Sequence, residues 1–254
     1  MGRELEGKVA IVTGSGGGMG VGIALAVAKA GAAVALVGRT PEKLEATRKL
    51  IEAAGGRAIS CPCDITDRAQ VDATVARTEA ELGPVWLVVN NAVSAENKPI
   101  EDVDDANLDL VLRSSIHGSL YMMQACFPTM KERGGRILNF GSGGATMGLP
   151  EVGAYAIAKE GVRGLTKTAA TGWGKYGITV NTVCPMVKTP LYDVWWESLT
   201  PDQQEQHLSS IPMRRMGDGE KDIGSLVVFL GSEGASYITS RTLHVDGGAA
   251  LYDR

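Results

Sequence analysis

No apolar run in the 254-residue sequence approaches the roughly 20 residues needed to cross a bilayer. The amino-terminal stretch MGRELEGKVAIVTG also lacks the apolar segment and small-residue cleavage site of a secretory signal, so a cytoplasmic protein is expected. Histidine occurs three times and cysteine four times. Cys61, Cys63, Cys126 and Cys184 share no repeated spacing, which points to reduced, buried thiols and not to a disulfide framework. Cys61-Pro-Cys63 has no histidine near it in sequence, and no metal site is expected. Neither sign of charge dominates: 25 basic and 29 acidic residues are interspersed and leave a formal charge of -4, which offers no basic face to nucleic acid or an anionic membrane.

What is present is a rhythm. Residues 8–14, 33–38, 57–63, 85–90, 136–140, 178–183 and 242–245 are short runs rich in β-branched residues, and most are continuously apolar, as strands covered on both faces are. Between them, 19–30, 41–54, 67–82, 105–132, 152–175 and 219–231 carry helical periodicity, and Gly31, Gly55 and Gly83 stand where left-handed helix ends are wanted. The alternation predicts one α/β domain over residues 1–254, a doubly wound, Rossmann-type parallel sheet of about seven strands with helices on both faces. Only 185–218 breaks the rhythm. Long insertions of this kind are commonly lids, and this one carries Tyr192, Trp195 and Trp196.

TGSGGGMG (13–20) joins the first strand to the first helix, where a glycine-rich turn lets backbone N–H groups and the positive helix end meet a pyrophosphate. No Gly-Lys-Ser/Thr follows, which excludes a P-loop. At the end of the second strand an acid would hold the ribose hydroxyls of NAD, yet the chain has Gly38 followed by Arg39, a side chain able to fork onto a 2'-phosphate. NADP(H) is therefore expected over NAD(H). Tyr155 and Lys159 lie four apart in a helical segment, so their side chains share a face. Around Ser142 the chain reads FGSGG, without the first glycine of a hydrolase nucleophile elbow.

Together these residues resemble the short-chain dehydrogenase/reductases over essentially the whole chain. TGSGGGMG is similar to that family's TGxxxGxG turn, CDI (63–65) to its adenine-contacting segment, and NNA (90–92) to its NNAG. Ser142 stands thirteen positions before the YxxxK pair Tyr155 and Lys159, and VNTVCP (180–185), Thr189 and VDGG (245–248) follow in order. The resemblance implies an oxidoreductase moving a hydride between a nicotinamide cofactor and an alcohol or ketone. In it Tyr155 is the general acid/base, Lys159 tunes that phenol and holds the ribose, and Ser142 orients the substrate oxygen. It also implies cofactor contacts at Gly14, Ser15, Gly18, Met19, Gly20, Arg39, Thr40, Asp64, Ile65, Asn90, Asn91, Ala92, Tyr155, Lys159, Pro185, Val187 and Thr189. A cation about 5 Å from the phenol at an effective dielectric near 20 supplies roughly 3 kcal/mol, which predicts a phenol pKa well below its usual value.

Three positions depart from the pattern. Ser115 stands where the family has a proton-relay asparagine, Val93 replaces the glycine of NNAG, and Met186 replaces the glycine after Pro185. Ser115 is expected to carry the relay, directly or by holding a water. A cofactor-binding regulator or scaffold with weak catalysis is the alternative the missing asparagine leaves open. Met147, Leu149, Val152, Leu191, Tyr192, Trp195 and Trp196 flank the expected site and suggest a mainly apolar substrate, although the tryptophans could equally pack a lid against its own domain or a neighbouring subunit. The family resemblance implies a homo-oligomer, a tetramer or dimer, built on the helices predicted at 105–132 and 152–175.

Overall fold

The computed structural model describes residues 3–249. All seven predicted strands form: β1 (Val9–Thr13), β2 (Ala33–Gly38), β3 (Arg57–Pro62), β4 (Val85–Asn90), β5 (Gly135–Phe140), β6 (Ile178–Pro185) and β7 (Thr242–Val245). They make one parallel sheet in the order β3-β2-β1-β4-β5-β6-β7, so the strand order reverses between β1 and β4. In such sheets ligands bind beyond the carboxyl ends of the strands at that reversal.

The helices are α1 (Gly18–Lys29), α2 (Pro41–Ala53), α3 (Arg68–Leu82), α4 (Asp105–Leu112), α5 (Gly118–Arg133), α6 (Gly143–Met147), α7 (Gly153–Trp173), α8 (Pro190–Glu197), α9 (Pro201–Ser209) and α10 (Ser225–Gly231). Their starts follow from the sequence. Asp67 and Asp104 accept hydrogen bonds from backbone N–H groups of the first turns of α3 and α4, and Thr200 forms a reciprocal capping box with Gln203 on α9. Gly31, Gly55 and Gly83, with φ of +101°, +80° and +110°, turn the chain from helix to strand. One face of the sheet packs α1, α2 and α10 through residues such as Ile23, Val27, Leu44 and Val227, and the other packs α3, α5 and α7 through Val71, Met122, Cys126 and Ala169. All four cysteines are free and buried. Among the described residues no helix is long and apolar enough to cross a membrane.

Four segments differ from expectation. The helix predicted over 105–132 is two helices joined by a π-turn, Arg113–His117, where Ser114 Oγ lies 2.9 Å from both the Leu110 and the Ser94 carbonyl and so competes with the regular ladder. The helix predicted from 219 likewise opens with a π-turn, Gly219–Gly224, capped by Asp218 before α10 begins. The irregular stretch 185–218 holds two helices, α8 and α9, each with proline in its first turn, and the short α6 after Ser142 was not apparent from periodicity.

Candidate active site

The turn after β1 is shaped by Thr13 and Asn91. Thr13 Oγ1 donates to the Val89 carbonyl (3.2 Å) and accepts from the Asn91 and Ala92 amides (3.0 Å each), while Asn91 Nδ2 donates to the Thr13 carbonyl (2.9 Å). These bonds clamp the ends of β1 and β4 together at the reversal. Gly14 adopts φ +70°, and a Cβ there would stand 2.7 Å from Asn91 Nδ2. A Cβ at Gly17, by contrast, would meet nothing within 4 Å. Gly17 precedes α1 with no side-chain cap, leaving the first N–H groups of the helix facing open space. This cradle fits a pyrophosphate.

Two cavities lie along the carboxyl edge of the sheet and share Gly17, Asn91 and Val93. The first, of about 730 Å³, is lined by Gly14, Arg39, Thr40, Asp64 and Ile65 of the expected cofactor residues, and also by Gly16, Gly38, Lys43 and Arg113. Arg39 is exposed, makes no ion pair among the described residues and donates from Nη2 to Ser94 Oγ (3.3 Å). Asp64 Oδ1 accepts from the Thr66 amide and hydroxyl, which fixes its loop. Gly38 and the cationic Arg39 share this wall with two acidic residues, Asp64 and Asp109.

The second cavity, of about 790 Å³, gathers Met19, Gly20, Tyr155, Lys159, Pro185, Val187, Thr189, Tyr192 and Trp195 from the expected set, with Met186 and Met216 added. Lys159 is buried on α7, and its Nζ donates to the Phe140 carbonyl at the end of β5 (2.8 Å) while lying 5.5 Å from the centre of the Tyr155 ring. Ser142 Oγ caps α6 by accepting from the Ala145 amide (3.4 Å). Burial drives the Lys159 ammonium down to about 8. Burial also pushes the Tyr155 phenol above its usual value, against a smaller opposing pull from the neighbouring Ser142 hydroxyl. The expected lowering by Lys159 is thus corrected: the sequence estimate counted the attraction of the cation but not the loss of water around both groups. Cys184, within reach of both, remains a thiol, pushed up to about 11.

Other expected residues stand apart. Ser15 is fully buried and Asn90 nearly so; Asn90 Nδ2 donates to Asn139 Oδ1 (2.8 Å), Asn139 Nδ2 to Thr166 Oγ1 (2.9 Å), and Thr182 Oγ1 bonds Thr166 (2.9 Å). Asn90 therefore supports the site from below and lines neither cavity. Gly18, exposed at the start of α1, also lines neither cavity, whereas Ala92 borders the first. Ser115 is buried in the π-turn with a hydroxyl that has no hydrogen-bond partner among the described residues. Met147, Leu149, Val152 and Trp196 line neither cavity: Met147 and Leu149 are exposed, and Trp196 stacks on Tyr192 with centroids 5.7 Å apart. The side chain of Leu191 lies outside the described residues. Periodicity alone gave no sign of Lys43 or Arg113, which enter through helix faces, whereas Val93 and Met186 were visible as departures from a motif.

Comparison with known proteins gives a consistent picture. A family model described as enoyl-(acyl carrier protein) reductase matches residues 14–250. A 12alpha-hydroxysteroid dehydrogenase of Clostridium sp. is 39% identical over 251 residues, covering 96% of each chain. The 3-oxoacyl-(acyl-carrier-protein) reductase FabG of Vibrio harveyi is 36% identical over 246 residues, covering 96% of this chain and 98% of its own. Among solved structures, a short-chain type dehydrogenase/reductase from Mycobacterium ulcerans superposes with a TM-score of 0.91 at 30% identity, over 98% of this chain and 91% of the other.

Proposed function

The chain belongs to the short-chain dehydrogenase/reductase family, as an NAD(P)-dependent oxidoreductase acting on hydroxyl or keto groups, and we propose that it uses NADP(H) on a mainly apolar alcohol or ketone. The observation that carries the cofactor preference is Arg39, exposed on the first cavity beside Gly38 with no carboxylate partner among the described residues. Gly14, Gly20, Asn91 and the open face of Gly17 suit the pyrophosphate, and Val187 and Thr189 stand where the nicotinamide end would lie. When bound, the cofactor donates or accepts the hydride at the carbon bearing the substrate oxygen.

The residues of the chain handle the proton. In reduction, the Tyr155 hydroxyl gives its proton to the ketone oxygen as the alcohol forms; in oxidation, its oxygen takes the hydroxyl proton of the alcohol. Ser142, beside that hydroxyl, orients the substrate oxygen. Lys159, anchored to the Phe140 carbonyl, holds its amine beside the Tyr155 ring and close to where a ribose would enter. The orphan hydroxyl of Ser115 suits a water that returns the proton to bulk. Met19, Met186, Tyr192 and Trp195 give the second cavity an apolar character that favours a carbon-rich substrate. We assign 185–218 as a lid on a single domain of residues 1–254, and reduced, buried thiols favour a cytoplasmic setting.

Quenching of tryptophan fluorescence by NADPH and then NADH tests the cofactor reading. NADPH is expected to bind more tightly, and Arg39→Ala should cut that preference by about tenfold or more, in keeping with the loss of a charge-assisted fork. A wild type that prefers NADH would refute it.

A further inference from the structure

Val93 is an apolar side chain, 40% exposed, at the junction of the two cavities, and Met186 also lines the second cavity. The strands that deliver them are one place either side of β5: Asn90 of β4 pairs with Asn139, and Phe140 of β5 pairs with Val183 of β6. Adjacent strands lie about 4.8 Å apart, so the backbones leading to Val93 and Met186 are separated by about 10 Å over the end of β5. That end is where Phe140 holds Lys159 and the chain passes through Gly141 to Ser142.

The floor between the two is fixed. A Cβ at Gly141 would stand 2.8 Å from both Cys184 Sγ and Thr182 Cγ2, two fully buried side chains, so core packing requires glycine at this point of the cavity lining. One wall is stiff, because a β-branched valine has few rotamers. The other is soft in its side chain but pinned in its backbone: the Met186 amide donates to the Val245 carbonyl (2.9 Å), and its carbonyl accepts from the Gly217 amide (3.1 Å). Beyond them the cavity opens toward Tyr192 and Trp195, and Trp195 is 42% exposed.

We propose that Val93 and Met186 are the specificity-determining pair of this site. They flank the reacting carbon so that a slim substituent, planar or unbranched, passes between them, while the larger apolar body of the substrate lies toward the α8 rings. The inference rests on the Tyr155-centred reading above and names the substrate class within it: ketones or alcohols with one slim side next to the oxygen.

The test uses pairs of aryl-alkyl ketones with the same aryl group and either a methyl or a tert-butyl group on the carbonyl. Three readouts are taken on wild type, Val93→Ala, Met186→Ala and Val93→Leu: kcat/KM with NADPH, ketone binding by tryptophan quenching, and the Kd for NADPH. Each alanine variant is expected to raise the branched-to-slim ratio about tenfold or more, in catalysis and in binding, with NADPH affinity unchanged; Val93→Leu should lower it. An unchanged ratio overturns the proposal. So does an equal loss for both ketones accompanied by weaker NADPH binding, which would make the pair a cofactor contact. If the wild type turns over no ketone, the Tyr155 reading fails, and the binding ratio still decides the role of Val93 and Met186.

Discussion

At Lys159 the chain places an amine under the protein surface with a backbone carbonyl as its hydrogen-bond partner, and burial lowers its pKa from the usual 10.5 to about 8. The sign of the consequence is fixed by linkage. Between pH 8 and 10.5 the unfolded chain keeps this proton and the folded chain has released it, so raising the pH through that window favours folding. Below the window both states are protonated, and the full cost of the buried charge remains, about 3 kcal/mol at most for a shift of this size. Lys159→Met removes the group, and wild type should gain stability relative to that variant as pH climbs from 8 toward 10.5, measured by urea unfolding of the ligand-free proteins. A constant difference across the range would show that the amine titrates normally. The pairing of Tyr155 with Lys159 was legible from a four-residue spacing, but the direction of the Tyr155 shift was not. Spacing reports proximity, whereas the balance of burial against attraction depends on what covers both groups.

Elements show the same division. All seven strands and the six helices with clear periodicity were legible, because continuous apolar runs and glycine stops encode a parallel sheet whose faces are both covered. The π-turn at Arg113–His117 was not, since it arises from a serine hydroxyl competing for carbonyls, which no hydrophobic period records. It matters to the proposed chemistry because it carries Ser115, buried with an unpaired hydroxyl on the edge of the site's supporting helix. A π-turn of this kind commonly marks a functional position. Under the relay reading, Ser115→Ala slows turnover severalfold and displaces the pH–rate profile. The folded protein should at the same time be as stable or slightly more so, because an unsatisfied buried hydroxyl costs about 1–3 kcal/mol. Unchanged rate and pH profile would remove Ser115 from the relay. The two helices α8 and α9 of 185–218 were anticipated only as an irregular stretch, their identity resting on proline starts and the Thr200 capping box.

On the scale of the whole molecule, the two cavities form one groove along the carboxyl edge of the sheet, meeting at Gly17, Asn91 and Val93. One end is lined by Arg39, Lys43 and Arg113 together with Asp64 and Asp109, and the other is mainly apolar around Tyr155; under the proposed reading the adenosine lies at the first and the nicotinamide at the second. Ile157 on α7 is 48% exposed, an apolar position on one of the two helices expected to build an oligomer, whereas Leu110 on α4, 42% exposed, lines the first cavity. Elution at twice or four times the monomer mass in size-exclusion chromatography, lost on Ile157→Glu, is the expected behaviour; a wild-type monomer would contradict it. In the proposed reaction Tyr155 moves the proton of a hydride transfer supported by NADP(H). Its most direct test is the rate of ketone-dependent NADPH consumption by Tyr155→Phe against wild type, at NADPH concentrations that fluorescence quenching shows to saturate both. The account requires equal NADPH affinity and a rate at least about 100-fold lower in the variant, the lower end of what a positioned acid contributes; a variant that retains most of the wild-type rate would contradict it.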